Sequence, residues 1–167
     1  MIVSVIGESS ATTQNENYAF EVGRLLAKSN LILACGGLGG VMEAACKGAK
    51  SEGGTTIGIL PGINISESNQ WIDIPICTGL GYARNVIVAR TGIVAIAIGG
   101  AYGTLSEIAY ALAEDKPVIG LNTWELMRNN SFDNKIIRAQ NANEAVEKAL
   151  EQILDKWWNG KNQKNYT

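Results

Sequence analysis

Three glycine-rich turns, one arginine and one glutamate carry the chemistry legible in this chain. The run Gly99-Gly100-Ala101-Tyr102-Gly103-Thr104 leads into a helical pattern that holds Glu107. A second run, Gly36-Gly37-Leu38-Gly39-Gly40, opens a helical pattern at Val41-Met42, and Gly7-Glu8-Ser9-Ser10 forms a third turn. Glycine lets backbone amides approach an anion closely and adopt positive φ. A helix N-terminus adds free N–H groups and a favourable dipole. Two such loops at neighbouring strand ends make a phosphate cradle, with Ser9 and Thr104 as hydroxyl donors.

Arg84 and Asn85 follow the turn Thr78-Gly79-Leu80-Gly81-Tyr82-Ala83 and fall in the first turn of another helical pattern. The helix dipole mildly disfavours a cation there, so Arg84 needs a partner. That partner is either a bound phosphate or carboxylate, or a surface salt bridge. Glu107 near a helix start is ordinary dipole and capping chemistry. Beside an anion loop and an arginine it is also a candidate for ribose hydroxyls or acid–base work. Met42, Tyr82 and Tyr102 are candidates to contact a ring, or core residues.

Absences narrow the chemistry. The chain has no histidine, which removes Ser-His, Cys-His and His-metal mechanisms. Its three cysteines, Cys35, Cys46 and Cys77, contain no C-x-x-C and suit reduced thiols in a cytoplasm, with no metal site of the protein's own. No Gly-Lys-Ser/Thr exists for a P-loop. A dinucleotide fingerprint fails because the first turn reads Gly-Glu-Ser-Ser, and Met42 stands where the second turn needs its third glycine. A net charge of −2, with no basic stripe, argues against nucleic-acid or membrane-surface binding. The longest apolar run, Ile93 to Ile98, is far short of a membrane span, and no targeting segment is visible.

The elements that must hold these residues alternate in period. Short apolar runs at Ile2–Ile6, Leu31–Cys35, Thr55–Leu60, Ile93–Ile98 and Pro117–Leu121 read as strands buried on both faces. Ile72–Ile76 is a weaker sixth, interrupted by Asp73 and Pro75. Helical spacing covers Asn17–Ser29, Gly40–Lys50, Ala83–Thr91 and Thr104–Glu114. This strand–helix alternation predicts a Rossmann-like α/β domain, a doubly wound and mainly parallel sheet flanked by helices, over residues 1–158. Residues 122–143 are polar and Asn-rich, expected as a loop with a short helix. Asn143–Trp158 is an amphipathic helix capped at Asn143, with Trp157 and Trp158 either on the sheet edge or at a subunit contact. Residues 159–167 are expected to be a polar tail.

Three stretches together resemble a known superfamily: the LONELY GUY-type cytokinin nucleotide phosphoribohydrolases, formerly labelled possible lysine decarboxylases, and the molybdenum cofactor carrier proteins. The resemblance covers roughly residues 1–121. The hydrolase pattern P-G-G-x-G-T-x-x-E is met by Gly99 to Glu107, with Gly99 for proline and Ala101 for a glycine. The pattern G-G-G-x-x-G-L-M is met by Cys35 to Met42, with Cys35 for the first glycine. The enzymes' Arg-Lys pair falls on Arg84-Asn85, so the lysine is lost. The stretches Cys35 to Ala44, Thr78 to Asn85 and Tyr102 to Ala109 are closer to the carrier branch.

The resemblance implies a Rossmann-like fold, a homodimer or higher oligomer, and an anionic ligand at the glycine loops. Two functions follow from it. In the first, the chain carries a phosphorylated small molecule, a molybdopterin-type cofactor or an AMP-like nucleotide, with no cofactor required otherwise. Gly7, Ser9, Gly36, Gly37, Gly39, Gly40, Met42, Asn85, Gly99, Gly100, Tyr102, Gly103 and Thr104 would bind it. In the second, Glu107 and Arg84 cleave a nucleoside 5′-monophosphate to free base and ribose 5-phosphate. The decarboxylase label fails, because neither glycine loop supplies a Schiff-base lysine.

Overall fold

A computed structural model describes residues 1–163, with side chains through residue 155. The strands are β1 (Ile2–Gly7), β2 (Ile32–Cys35), β3 (Thr56–Leu60), β4 (Ile74–Cys77), β5 (Val94–Ile98), β6 (Val118–Leu121), β7 (Leu126–Arg128), β8 (Ser131–Asp133) and β9 (Ile136–Ala139). The helices are α1 (Thr13–Lys28), α2 (Val41–Ser51), α3 (Asn85–Thr91), α4 (Tyr102–Ala113) and α5 (Ala142–Gln163). Seven strands form one parallel sheet in the order β4-β3-β2-β1-β5-β6-β9. This is the doubly wound Rossmann-like architecture expected from the alternating periods.

Central β5 shows why the strands read as unbroken apolar runs. All five of its residues are buried. Val94, Ile96 and Ile98 face a core shared with α1, α2 and α5. Ala95 and Ala97 face the opposite core, which Val88 of α3 and Ile108 of α4 complete. Period-2 alternation persists, but both faces are apolar. On the first face α1 and α2 approach closely: a Cβ at Gly23 would stand 1.9 Å from the Ala45 carbonyl oxygen. No helix among the described residues is long and apolar enough to cross a membrane.

Three boundaries differ from the sequence reading. Residues 122–143 hold no helix before α5; they form the β7–β8 hairpin and a seventh sheet strand, β9. β9 carries Arg138 among its four residues and buries only Ile136 and Ala139, too short an apolar signal to read as a strand. The sixth strand lies at Ile74–Cys77 rather than Ile72–Ile76; it is an edge strand, where Pro75 is tolerated. Asp73 precedes it and accepts from Thr56 N–H and Lys50 Nζ. Finally, Asn141 caps α5, not Asn143: its Oδ1 accepts from Glu144 N–H at 3.0 Å, while Glu144 reaches back to Gln140 N–H. The expectation for Trp157 and Trp158 falls on side chains outside the described residues. The expected tail lies partly outside too, because α5 continues to Gln163 and residues 164–167 are not described.

Candidate functional site

The chain runs outward from β1 to β4, then returns to β5 on the other side of β1. That reversal opens a crevice beyond the carboxyl ends of β1 and β5, where doubly wound sheets bind ligands. A cavity of about 350 Å³ lies at this crevice. Its walls include Gly7, Glu8 and Ser9 after β1, Leu38 and Met42 after β2, and Gly103, Thr104 and Glu107 from α4. Arg84, Asn85, Pro61 and Tyr82 close the remaining side. The two long glycine loops are therefore not on neighbouring strands: β1 and its own turn stand between them.

Arg84 and Glu107 meet here, and Arg84 is not in a surface salt bridge. It ends a 3-10 turn, Gly81–Arg84, that leads straight into α3 and drives the side chain inward. Only 6% of Arg84 and 5% of Glu107 is exposed, so each charge depends on protein partners. Arg84 Nη1 donates to Glu107 Oε1 at 3.3 Å and to Asn85 Oδ1 at 3.1 Å. Nη2 donates to the Gly36 carbonyl at 3.3 Å. Nε is buried with no partner among the described residues. Burial pushes the Glu107 carboxyl up to about 7, with Arg84 pulling it the other way. Burial likewise holds the Arg84 guanidinium below its usual value, against the attraction of Glu107.

Asn85 braces this pair. Its Nδ2 donates to Ser106 Oγ at 2.9 Å and to the Gly103 carbonyl at 3.3 Å, tying α3 to the start of α4. A lysine at this position would bring a second cation to the cavity; asparagine brings a neutral bridge whose acceptor faces Arg84.

The helix starts are filled to different degrees. Val41 N–H, the first amide of α2, donates to the Glu8 carbonyl at 3.0 Å. Gly100 N–H donates to the Glu8 carboxylate, which also accepts from Asn15 Nδ2 at 2.8 Å. α4 has no side-chain cap, and the amides of Tyr102, Gly103 and Thr104 have no partner among the described residues. Gly103 and Thr104 line the cavity. The start of α2 also leaves amides free: those of Leu38, Gly39, Gly40, Met42 and Glu43 have no partner among the described residues, and Leu38 and Met42 line the cavity.

Of the residues singled out by sequence, Gly7, Ser9, Met42, Tyr82, Arg84, Asn85, Gly103, Thr104 and Glu107 line the cavity. The others stand behind it. Gly36 seats the guanidinium: a Cβ there would lie 2.5 Å from Arg84 Nη2. Gly37 packs against β3, with its carbonyl taking Asn69. Gly39 and Gly40 lie against the backbone of Ser9 and Glu8. Gly99 donates to the Leu121 carbonyl, and Gly100 to Glu8. Tyr102 is 81% exposed and stacks on Trp124, with ring centroids 5.7 Å apart. Glu8 was not singled out. Its place directly after Gly7 in the first β–α turn was the available signal.

A family model matches residues 1–148. The chain belongs to the SLOG cluster4 family. An uncharacterized protein of Archaeoglobus fulgidus is 46% identical over 121 residues, covering 72% of this chain and 80% of that one. Among solved structures, the molybdenum cofactor binding protein of Rippkaea orientalis superposes with a TM-score of 0.83 at 38% identity, covering 91% of this chain and 96% of that one. The molybdenum cofactor carrier protein of Chlamydomonas reinhardtii gives 0.79 at 34%, covering 92% and 98%. The likeness to the carrier branch, carried by the stretches around Met42, Arg84 and Glu107, is borne out.

Proposed function

We propose that this SLOG cluster4 chain binds a phosphorylated pterin of the molybdenum-cofactor type, or a nucleotide of similar shape, and carries it without chemical change. One observation supports this most: Gly103 and Thr104, whose amides have no partner among the described residues, line the same cavity as Arg84, whose buried guanidinium keeps an unpartnered Nε. Helix amides and a guanidinium are a phosphate-binding pair. Leu38, Met42 and Pro61 supply an apolar wall for a flat ring, so the residues present fit the group. Thr104 and Ser9 add hydroxyls, and Glu107 accepts from ring or sugar donors. When bound, the cofactor supplies a molybdenum centre for redox chemistry in an enzyme that receives it. This chain's part is to bind, orient and shelter it.

The similarity to a molybdenum cofactor binding protein and to a molybdenum cofactor carrier protein supports the same reading. A homo-oligomer is part of it: Tyr82, Tyr102 and Tyr110 expose aromatic surface beside the cavity, as a subunit contact requires. So is a cytoplasmic location, where three free cysteines persist.

Hydrolysis of a nucleoside 5′-monophosphate is the second reading, favoured by one feature. A carboxyl near 7 in a phosphate-binding cavity is poised to exchange a proton. Against it, Arg84 holds one Glu107 oxygen and Asn85 replaces a cation.

The test is purification of the protein, acid-iodine oxidation and fluorescence chromatography for released pterin, beside incubation with AMP. Co-purified pterin with intact AMP is expected. Adenine and ribose 5-phosphate, lost in Glu107→Gln, would establish the hydrolase instead.

A further inference from the structure

Two of the three cysteines touch. Cys35 is the last residue of β2 and Cys46 lies in the middle of α2, and their Sγ atoms are 3.5 Å apart. Both residues are fully buried. Cys35 Sγ also lies 3.3 Å from Gly37 N–H, which donates to it. The next residue, Gly36, gives its carbonyl to Arg84, so a guanidinium stands close to this sulfur.

The two sulfurs are unequal. The contact with Cys46, the Gly37 amide and the Arg84 charge lower the Cys35 thiol, against the opposing effects of burial and of Glu107. Cys46 has the reverse surroundings. Its contact with Cys35 and its burial push its thiol up. One nucleophilic sulfur beside one proton-bearing resolving sulfur is the arrangement found in oxidisable dithiols. The residue pair lies behind the cavity wall and takes no part in the ligand chemistry above.

We propose that Cys35 and Cys46 form a peroxide-sensitive dithiol that closes to an intramolecular disulfide. The oxidant is a small hydroperoxide, of a size suited to a buried sulfur. The Cys35 thiolate attacks one peroxide oxygen, the O–O bond breaks, and the departing hydroxide takes the released proton to become water. Cys35 is then a sulfenic acid. The Cys46 sulfur attacks it, the S–S bond forms, and the sulfenic oxygen leaves as a second water with the Cys46 proton. Two thiols lose two electrons, and hydrogen peroxide is reduced to two waters. The sulfurs must close from 3.5 Å to about 2.05 Å, a shift of about 1.5 Å.

Peptide mapping of the wild-type protein tests this. Trypsin cuts after Lys28 and Lys47, so Cys35 and Cys46 fall in one peptide, residues 29–47, and Cys77 falls in another. Folded protein is treated with hydrogen peroxide at a dose that fully oxidises free glutathione in parallel. It is then quenched with catalase and alkylated with N-ethylmaleimide in denaturant. The expected result is a 29–47 peptide lighter by two hydrogens, without alkylation, that regains two alkyl groups after dithiothreitol. A doubly alkylated peptide would overturn the proposal. So would oxygen added at Cys35 beside an alkylated Cys46. In Cys46→Ser, with no resolving thiol, Cys35 should instead be trapped by dimedone as a sulfenic acid; no adduct would remove Cys35 as the attacking sulfur.

Discussion

The glycine turn after β2 and the glycine turn after β5 look alike as sequences, yet the protein uses them differently. The first is filled in large part by the protein's own groups, although the amides of Leu38, Gly39 and Gly40 have no partner among the described residues. Gly37 N–H meets the Cys35 sulfur, the Gly37 carbonyl takes Asn69, the Gly36 carbonyl takes Arg84, and Val41 N–H meets the Glu8 carbonyl. Its glycines are there because neighbours press against them. The second turn is filled only in its first half, where Gly99 and Gly100 bond Leu121 and Glu8. Its second half leaves the α4 amides open to the cavity. Glycine content marks close approach, and only the fate of each amide separates packing from binding.

The largest effect expected from this contrast is at Gly40. Its φ of +60° with ψ of −127° belongs to glycine, and a Cβ would lie 2.5 Å from the Glu8 carbonyl oxygen. Strain and overpacking together give a stability loss of about 3 kcal/mol for Gly40→Ala. Chemical denaturation measures it. A loss under about 1 kcal/mol would mean that this turn is less tightly filled than its contacts indicate.

Glu107 gives the next effect, through pH. Its folded-state pKa is raised from 4.5 to about 7. Between those values the folded chain holds a proton that the unfolded chain has released, so stability falls as pH rises through that window and levels off above it. This one group is expected to make the protein less stable at pH 8 than at pH 5 by roughly 2 to 3 kcal/mol. Glu107→Gln should remove that slope in denaturation curves taken at the two pH values. An unchanged slope would assign it to other groups.

These two sites also show what sequence could and could not carry. Six of the sheet strands and all five helices were legible because period-2 runs buried on both faces repeat between amphipathic segments. β9 was not, because an edge strand of four residues with Arg138 in it has little apolar signal. Arg84 and Glu107 were legible as site candidates from their place beside glycine turns. Which amides remain free was not, because the groups that consume them come from far along the chain. Arg84 reaches Gly36 across 48 residues, and Glu8 reaches Gly100 across 92. Local pattern has no access to such pairings.

Arg84→Ala tests the link between the two turns. It removes the Gly36 anchor, the cation paired with Glu107 and the proposed phosphate partner together. Loss of a charge-assisted contact worth about 2 kcal/mol corresponds to binding of a phosphorylated ligand roughly 30-fold weaker. Calorimetric titration with AMP at fixed pH reads it. Equal affinity in both proteins would place the phosphate away from Arg84.

Gly103→Ala is the smallest and the most selective probe. At this position in α4 a Cβ meets nothing closer than Asn85 Nδ2, at 3.7 Å, which is ordinary contact. Replacing a helical glycine by alanine should therefore raise stability, by up to about 1 kcal/mol. The same methyl would stand beside an amide assigned to the ligand's phosphate. Affinity should then fall several-fold while the melting temperature rises. Stability and binding moving in opposite directions is the signature of an open turn. At Gly40 they should fall together, because there the glycine serves the fold. If Gly103→Ala raised stability and left affinity untouched, the phosphate would have to lie elsewhere in the cavity, where Ser9, Thr104 and Arg84 also line the wall.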